Sequence, residues 1–300
     1  MRLSKGQPVQ VGIIGAGNMG LAMATRLLGS GWRVAVRDID ASREQMARSL
    51  GARVCASPAA VAAGAACVIV CVVDAQQVDS VLFDPNDGIA TQTNQPSILL
   101  CPTIAPDDTE RFARRLAALG LPCIDAPMSG GPLRAREGRM SLMVACEDDL
   151  FEGHAELLKD LAQPVFRVGH RPGDGARTKL VNNLLAVINL AGAAQALALA
   201  ERIGLDPAST LTVIEQSSGQ SWIGSDRLRR ALAGDLAPRA RTSLLDKDAR
   251  LALGMAVACG FDASVGAAAA AVFSRACDGG MAGLDDACLF DMLRAHTPHD

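Results

Sequence analysis

The sequence predicts an α/β fold in two parts. A doubly wound domain spans residues 1–170, and an all-helical domain follows over 171–300. Three observations carry this. Short apolar runs of strand length alternate with helical periodicity through the first half. Strand signals then stop near residue 170, and only helical segments follow. Between the two lies "GHRPGDG", residues 169–175, a cluster of turn-forming residues.

The elements follow in order. "VQVGIIGAGNMGLAMATRLLGSGWRVAVRD" reads as strand, tight turn, helix, strand. Its first strand is a continuous apolar run, as in a parallel sheet covered on both faces. Ser57-Pro58 has the form of an N-cap followed by proline at the first helical position. "CVIVCVV" and "SILLC" are buried strands. A helix over Asp107–Leu119 stops at Gly120. "PCIDAP" is a strand end with its loop, and "RMSLMVAC" is strand-like. Helices are then expected at about 174–203, 206–217, 225–233, 243–260, 263–278 and 285–294, broken at Gly204, "SSGQS", "GDLAP" and "DGG".

Composition bounds the function. The chain is 49% apolar and 20% charged, with a net charge of -3 and no long run of either sign. Neither nucleic acid nor an anionic membrane is an expected partner. The apolar helix at 184–200 is interrupted by Asn189 and Gln195, so we expect no membrane span. Nine cysteines without CxxC spacing read as buried thiols in a reducing cytoplasm, with neither disulfides nor a metal site. The N-terminus lacks a signal-peptide core, which fits a cytoplasmic location. There is no tyrosine, so no phenol serves as acid or base. The four histidines, His154, His170, His296 and His299, lie in no catalytic motif.

Gly15-Ala16-Gly17-Asn18-Met19-Gly20 is a G-x-G-x-x-G turn between a strand and a helix. Gly15 permits the tight turn, Gly17 lets a pyrophosphate approach, and Gly20 lets helix and strand pack closely. The helix N-terminus then offers amides to the phosphates. A second strand ends in Asp38, 18 residues after Gly20. A carboxylate there accepts ribose hydroxyls and repels the 2′-phosphate of NADP. The expected cofactor is therefore NAD in preference to NADP, in a Rossmann-type domain, with Arg37 read as a solvated edge residue.

Two further segments are open to two readings each. Ser129-Gly130-Gly131, in "DAPMSGGPLRAREG", offers a hydroxyl and backbone amides to an anion, or forms an ordinary turn. In "GDGARTKLVNNLL", Lys179 and Asn183 share a helix face, with Asn182 beside them. Either they face a functional cleft, or Lys179 snorkels to solvent and the asparagines satisfy a helix start.

Together these segments resemble the β-hydroxyacid dehydrogenase family, which includes 3-hydroxyisobutyrate dehydrogenase and tartronate semialdehyde reductase. The resemblance rests on "GIIGAGNMGLAMATRLL", "DAPMSGG", "GDGARTKLVNNLL" and the Lys247-Asp248 pair of "LLDKDARLAL", and it covers nearly the whole chain. It implies Lys179 as catalytic acid and base, with Asn183 positioning substrate or lysine. It implies Ser129, Gly130 and Gly131 as holders of a substrate carboxylate, and Thr103 and Lys247 near the nicotinamide. "CVVDAQQVDSVLF" and the segment from "SSGQSW" to "LLDKD" resemble the branch whose bacterial members oxidise four-carbon sugar acids such as L-threonate. Cys101-Pro102 and Met128 depart from the usual pattern.

The implied reaction is reversible hydride transfer from the hydroxyl-bearing carbon of a small carboxylate. A free lysine has a pKa of ~10.4, so a base working near neutral pH needs it lowered, by burial and by the nearby Arg177. Alternatives are 3-hydroxyisobutyrate or tartronate semialdehyde chemistry, an imine reductase, and a non-catalytic nucleotide-binding scaffold. The runs "AVINLAGAAQALALA" and "GAAAAAVF" predict faces that pack on another subunit, in a homodimer or homotetramer.

Overall fold

The computed structural model describes Leu3 and residues 10–235 and 237–295. The N-terminal segment read for a signal peptide falls mostly outside these residues, as do His296 and His299. The chain divides into two compact units, Met1–Lys179 and Leu180–Asp300.

The first unit is built on nine strands: β1 (Gln10–Ile14), β2 (Arg33–Arg37), β3 (Arg53–Val54), β4 (Ala65–Val70), β5 (Ser97–Leu100), β6 (Cys123–Asp125), β7 (Met128–Ser129), β8 (Met140–Ala145) and β9 (Ala162–Gly169). The sheet order is β3-β2-β1-β4-β5-β6-β8-β7, with β9 also on β8. Strands β3 through β6 in that order pair in parallel. β8 runs antiparallel to β6 and β7 and parallel to β9. The continuous apolar runs are explained by the pleat. Val11, Ile13, Cys67, Ile69 and Leu99 enter one core, while Ile14, Val68, Val70, Ile98 and Leu100 enter the other. Successive side chains point to opposite faces, and both faces are covered.

The helices are α1 (Asn18–Gly29), α2 (Ala41–Ser49), α3 (Pro58–Ala62), α4 (Ala75–Phe83), α5 (Pro106–Ala118), α6 (Gly131–Arg136), α7 (Asp148–Gly153), α8 (Ala155–Leu161) and α9 (Asp174–Arg202). Ser57 caps α3 as its sequence predicts, with its hydroxyl accepting from Ala60 N at 3.2 Å. Strand β9 has no counterpart in the sequence reading. Its Pro164 and its exposed Gln163 and Phe166 break the buried-strand pattern, which an edge strand tolerates.

By length and composition α9 would pass for a membrane span, at a mean hydropathy of 1.6 over its most apolar window. One side of it, Val187, Leu190, Ala194 and Leu197, lies in the core of the second unit with Leu211, Leu228, Phe273 and Phe290. That unit adds α10 (Pro207–Glu215), α11 (Trp222–Leu232), α12 (Thr242–Ala258), α13 (Ser264–Ala276) and α14 (Leu289–Ala295). The buried Asp285 fixes the approach to α12. Its Oδ2 accepts from Arg239 N at 2.7 Å and Ala240 N at 3.1 Å, and Arg230 Nη1 lies 3.1 Å from Oδ1.

The start of α9 is held by Asp125, the last residue of β6. Its buried Oδ2 accepts from Gly173 N at 2.7 Å and Ala176 N at 3.1 Å. A Cβ on Gly175 would come within 2.8 Å of Asp125 Cγ and of the Met143 carbonyl oxygen, so only glycine admits this approach. Burial pushes the Asp125 carboxyl up to about 6, against the pull of the Gly173, Ala176 and Gly175 amides. Between its ordinary value and that one, the folded protein holds a proton that the unfolded chain has released. This contribution to stability is therefore full in acid and is lost as pH rises through about 6. Asp125→Asn lacks it. The melting temperature of wild type relative to that of Asp125→Asn should be highest below the ordinary value of 3.8 and should fall as pH rises through about 6. A gap that widens toward neutral pH would show the carboxylate to be ionised throughout.

Candidate functional site

The parallel order brings the ends of β1, β2, β4, β5 and β6 to one edge of the sheet in the first unit. The order reverses between β1 and β4, the kind of switch point at which open parallel sheets bind ligands. Gly15, at φ 97°, makes the turn after β1, and a Cβ there would fall 2.4 Å from the Cys71 carbonyl oxygen. A Cβ on Gly20 would strike the Gly15 carbonyl oxygen at 1.9 Å. Gly17 differs, because its Cβ position meets nothing within 4 Å. No side chain caps α1, where the amides of Asn18, Met19 and Gly20 open the helix. A vacant approach over Gly17 beside an uncapped helix start fits a pyrophosphate.

Asp38 follows β2 at the rim of this turn. Its Oδ2 accepts from Ala16 N at 2.5 Å and its Oδ1 from Asp40 N at 2.8 Å. These two bonds fix the carboxylate while leaving each oxygen a lone pair for a ribose hydroxyl. Arg37 does not stand free in solvent, as its sequence position suggests. Its Nη1 lies 2.7 Å from Glu44 Oε1.

Further along the same edge, Thr103 sits half-buried between β5 and α5. Ser129 ends β7, and Gly130 and Gly131 lead into α6 at φ 120° and 75°. The hydroxyl of Ser141 on β8 donates to the Ser129 carbonyl at 3.4 Å. Three residues separate Ser129 from Asp125, so one short segment joins this turn to the residue that holds α9.

Lys179 lies on the second turn of α9 and is 7% exposed. That burial overturns the reading in which it snorkels to water. Arg177 does not supply an unpaired positive charge beside it. The guanidinium is paired with Glu110 and lies 3.2 Å from Asp174 Oδ1, so its charge is offset.

In the second unit, Asn183 is 6% exposed and does not cap a helix start. Its Nδ2 donates to Asp248 Oδ2 at 2.6 Å, and its Oδ1 accepts from Asn182 Nδ2 at 3.0 Å. Lys247 Nζ lies 2.8 Å from Asp248 Oδ1. The sequence reading marked Lys247 and left Asp248 without a role. The structure makes Asp248 the junction between Asn183 and Lys247. The only signal for it is its place beside Lys247, because a carboxylate on an apolar helix reads equally well as a solvated residue.

The chain is similar to known proteins along nearly its whole length. A family model for the NAD binding domain of 6-phosphogluconate dehydrogenase matches residues 10–169. A second, described as the NAD-binding part of NADP-dependent 3-hydroxyisobutyrate dehydrogenase, matches residues 173–293. The L-threonate dehydrogenase of Cupriavidus necator is 35% identical, over 94% of this chain and 95% of its own. Among solved structures, the 3-hydroxyisobutyrate dehydrogenase from Salmonella typhimurium superposes with a TM-score of 0.87 at 30% identity, covering 95% of this chain and 99% of that one. Psf3, solved with NADP+ and 2-OPP, superposes with a TM-score of 0.88 at 26% identity, covering 94% of this chain and 99% of that one. This chain therefore belongs to the β-hydroxyacid dehydrogenases, the 3-hydroxyisobutyrate dehydrogenase-like NAD(P)-binding oxidoreductases that act on hydroxyl groups.

Proposed function

We propose that the protein oxidises the hydroxyl-bearing carbon of a small hydroxy acid with NAD, and that the acid is L-threonate or a similar four-carbon sugar acid. The observation that carries the reaction is the buried lysine on the second turn of α9, in a chain whose glycine turn fits a dinucleotide. The substrate assignment is supported by the similarity to the L-threonate dehydrogenase of Cupriavidus necator. A second reading, 3-hydroxyisobutyrate, is favoured by the likeness to the Salmonella typhimurium structure.

In this reading the amides of Asn18, Met19 and Gly20 hold the cofactor's phosphates, with Gly15 and Gly17 shaping the turn, and Asp38 holds a ribose. Thr103 and Lys247 approach the nicotinamide end, which when bound accepts the hydride. Ser129, Gly130 and Gly131 hold the substrate carboxylate through the hydroxyl and backbone amides. Neutral Lys179 removes the hydroxyl proton as the carbon–hydrogen bond breaks, and its ammonium returns that proton in the reverse direction. Asn183 fixes the geometry with an amide, which adds no charge beside the titrating amine. Asp248 orients that amide.

The test is NADH formation by wild type and Lys179→Met with L-threonate, 3-hydroxyisobutyrate and threitol, the neutral polyol that lacks the carboxylate. We expect turnover of the acid and little of the polyol. A general acid–base group contributes ~10²–10⁴-fold, so kcat should fall by about that much in Lys179→Met. Near-normal turnover by the variant would remove Lys179 from the mechanism, and equal turnover of the polyol would remove the carboxylate from recognition.

Asp248→Asn should lower kcat/KM by roughly 10- to 100-fold, the scale of a hydrogen bond to a charged group. The pH limb belonging to Lys179 should persist, which a pH–rate profile checks. Unchanged kinetics would make the Asn183–Asp248–Lys247 chain merely structural.

The protein is also inferred to form at least a dimer, either a homodimer or a homotetramer. The side of α9 away from its own core carries Val181, Leu185 and Leu199, and Ile203 follows just past its end; the four are 57–64% exposed. Spacings of four, fourteen and four residues keep them on one stripe. A helix that is apolar on all sides is normally buried on all sides, and a second copy presenting the same stripe would cover it. Light scattering at micromolar concentration should give a multiple of the 31.1 kDa chain mass. Leu185→Glu with Leu199→Glu should reduce that mass, and a monomeric wild type would contradict the inference.

A further inference from the structure

At the end of β2, five hydrogen bonds form a closed circuit. The Ala16 amide in the glycine turn donates to Asp38 Oδ2 at 2.5 Å. Asp38 Oδ1 accepts from Asp40 N at 2.8 Å. Asp40 caps α2 by accepting from Ser42 N at 2.8 Å. Glu44, on the first turn of α2, reaches back to the strand. Its Oε1 accepts from Arg37 Nη1 at 2.7 Å and from Asp38 N at 3.3 Å.

This circuit decides what Arg37 is able to do. The cofactor choice in the reading above rests on Asp38 alone, yet the adjacent residue is an arginine, the side chain best suited to a 2′-phosphate. Geometry withholds it. The Arg37 and Glu44 side chains are 29% and 16% exposed, so the pair is shielded from solvent more than a surface pair would be. For Arg37 to turn toward a phosphate, it must leave the partly buried Glu44 carboxylate without its partner. That carboxylate would also stay close to the incoming phosphate. The other cations here, Arg43 and Arg48, act on Asp40 and Glu44. Burial alone would raise the Glu44 carboxyl, but the Arg37 hydrogen bond and the Asp38 amide hold it below its ordinary value, so it stays ionised at neutral pH.

We propose that Glu44 is a specificity-determining residue that acts through Arg37, holding the guanidinium away from the ribose so that the site takes NAD and rejects NADP. The proposal rests on the reading in which Asp38 faces the ribose. Glu44 touches neither substrate nor cofactor, and is a positioning residue.

Fluorescence titration of NADH and NADPH tests this without turnover. The proteins needed are wild type, Glu44→Gln and Arg37→Ala/Glu44→Gln. Wild type should bind NADH more tightly. Glu44→Gln should bind NADPH about tenfold more tightly than wild type does, the scale of one charge-assisted hydrogen bond. Its NADH affinity should stay within about twofold, which also shows that the fold is intact. The double variant should lose the gain, because the released arginine is what makes it. If wild type prefers NADPH, the reading of Asp38 fails and the clamp fails with it. If wild type prefers NADH but Glu44→Gln gains nothing for NADPH, the clamp alone is overturned. A gain that survives in the double variant overturns it too, since loss of a negative charge would then be the whole effect.

Discussion

The bond on which the first unit depends most is that between Asp125 and the start of α9. A carboxylate with almost no access to water is expensive to place. Here it accepts amides that a helix start leaves without partners, at the end where the helix dipole favours negative charge. Glycine at 175 permits the approach, because a side chain would collide with both Asp125 and the β8 backbone. The register of α9 is therefore set from the sheet. Lys179 lies three residues beyond Ala176, too close to the cap to drift independently of it. Asp125 also begins the loop that leads to Ser129. One buried acid thus ties the turn with candidate anion donors to the helix with the candidate base.

A different economy governs the second unit. Asn183, Asp248 and Lys247 form a chain, a hydrogen bond from Asn183 to Asp248 and an ion pair from Asp248 to Lys247. The buried Asp248 carboxylate alone would be costly, and the partly exposed Lys247 offsets its charge. Joined, they present an amide of fixed orientation. The loop before α12 needs comparable support, which Asp285 provides by collecting the Arg239 and Ala240 amides.

Much of this was legible in the sequence, and the reasons differ by residue. The glycine turn could be read because a dinucleotide-binding domain constrains residue type at fixed spacing, and the same spacing marked Asp38 as a candidate. The helical half could be read because apolar periodicity over long segments admits few alternatives. The capping Ser57-Pro58 is local chemistry and was equally visible. Strand β9 was not, since an edge strand with proline needs no apolar alternation. Nor were the partners of Asp125, Glu44 and Asp248, although the residues themselves stood in plain view. Their meaning lies in contacts across 48, 7 and 65 positions. Arg177 shows the same limit from the other side. Its nearness in sequence suggested an unpaired charge beside Lys179, and Glu110, sixty-seven positions away, offsets it.

These long-range pairs bear on how such a site divides its labour. On the proposed reading Asp38 offers its carboxylate to a ribose, but a carboxylate beside a free arginine would be an ambiguous signal. The ambiguity is removed on α2, one element later, where Glu44 occupies the arginine and Asp40 ties the helix to Asp38. The selective group and the group that keeps it selective thus sit on different elements, joined by backbone amides. Exchanging residue 38 alone would leave Arg37 still committed to Glu44. If the proposed preference for NAD holds, a single substitution at position 38 would weaken it without creating a site for NADP, because the cation such a site needs is held by Glu44.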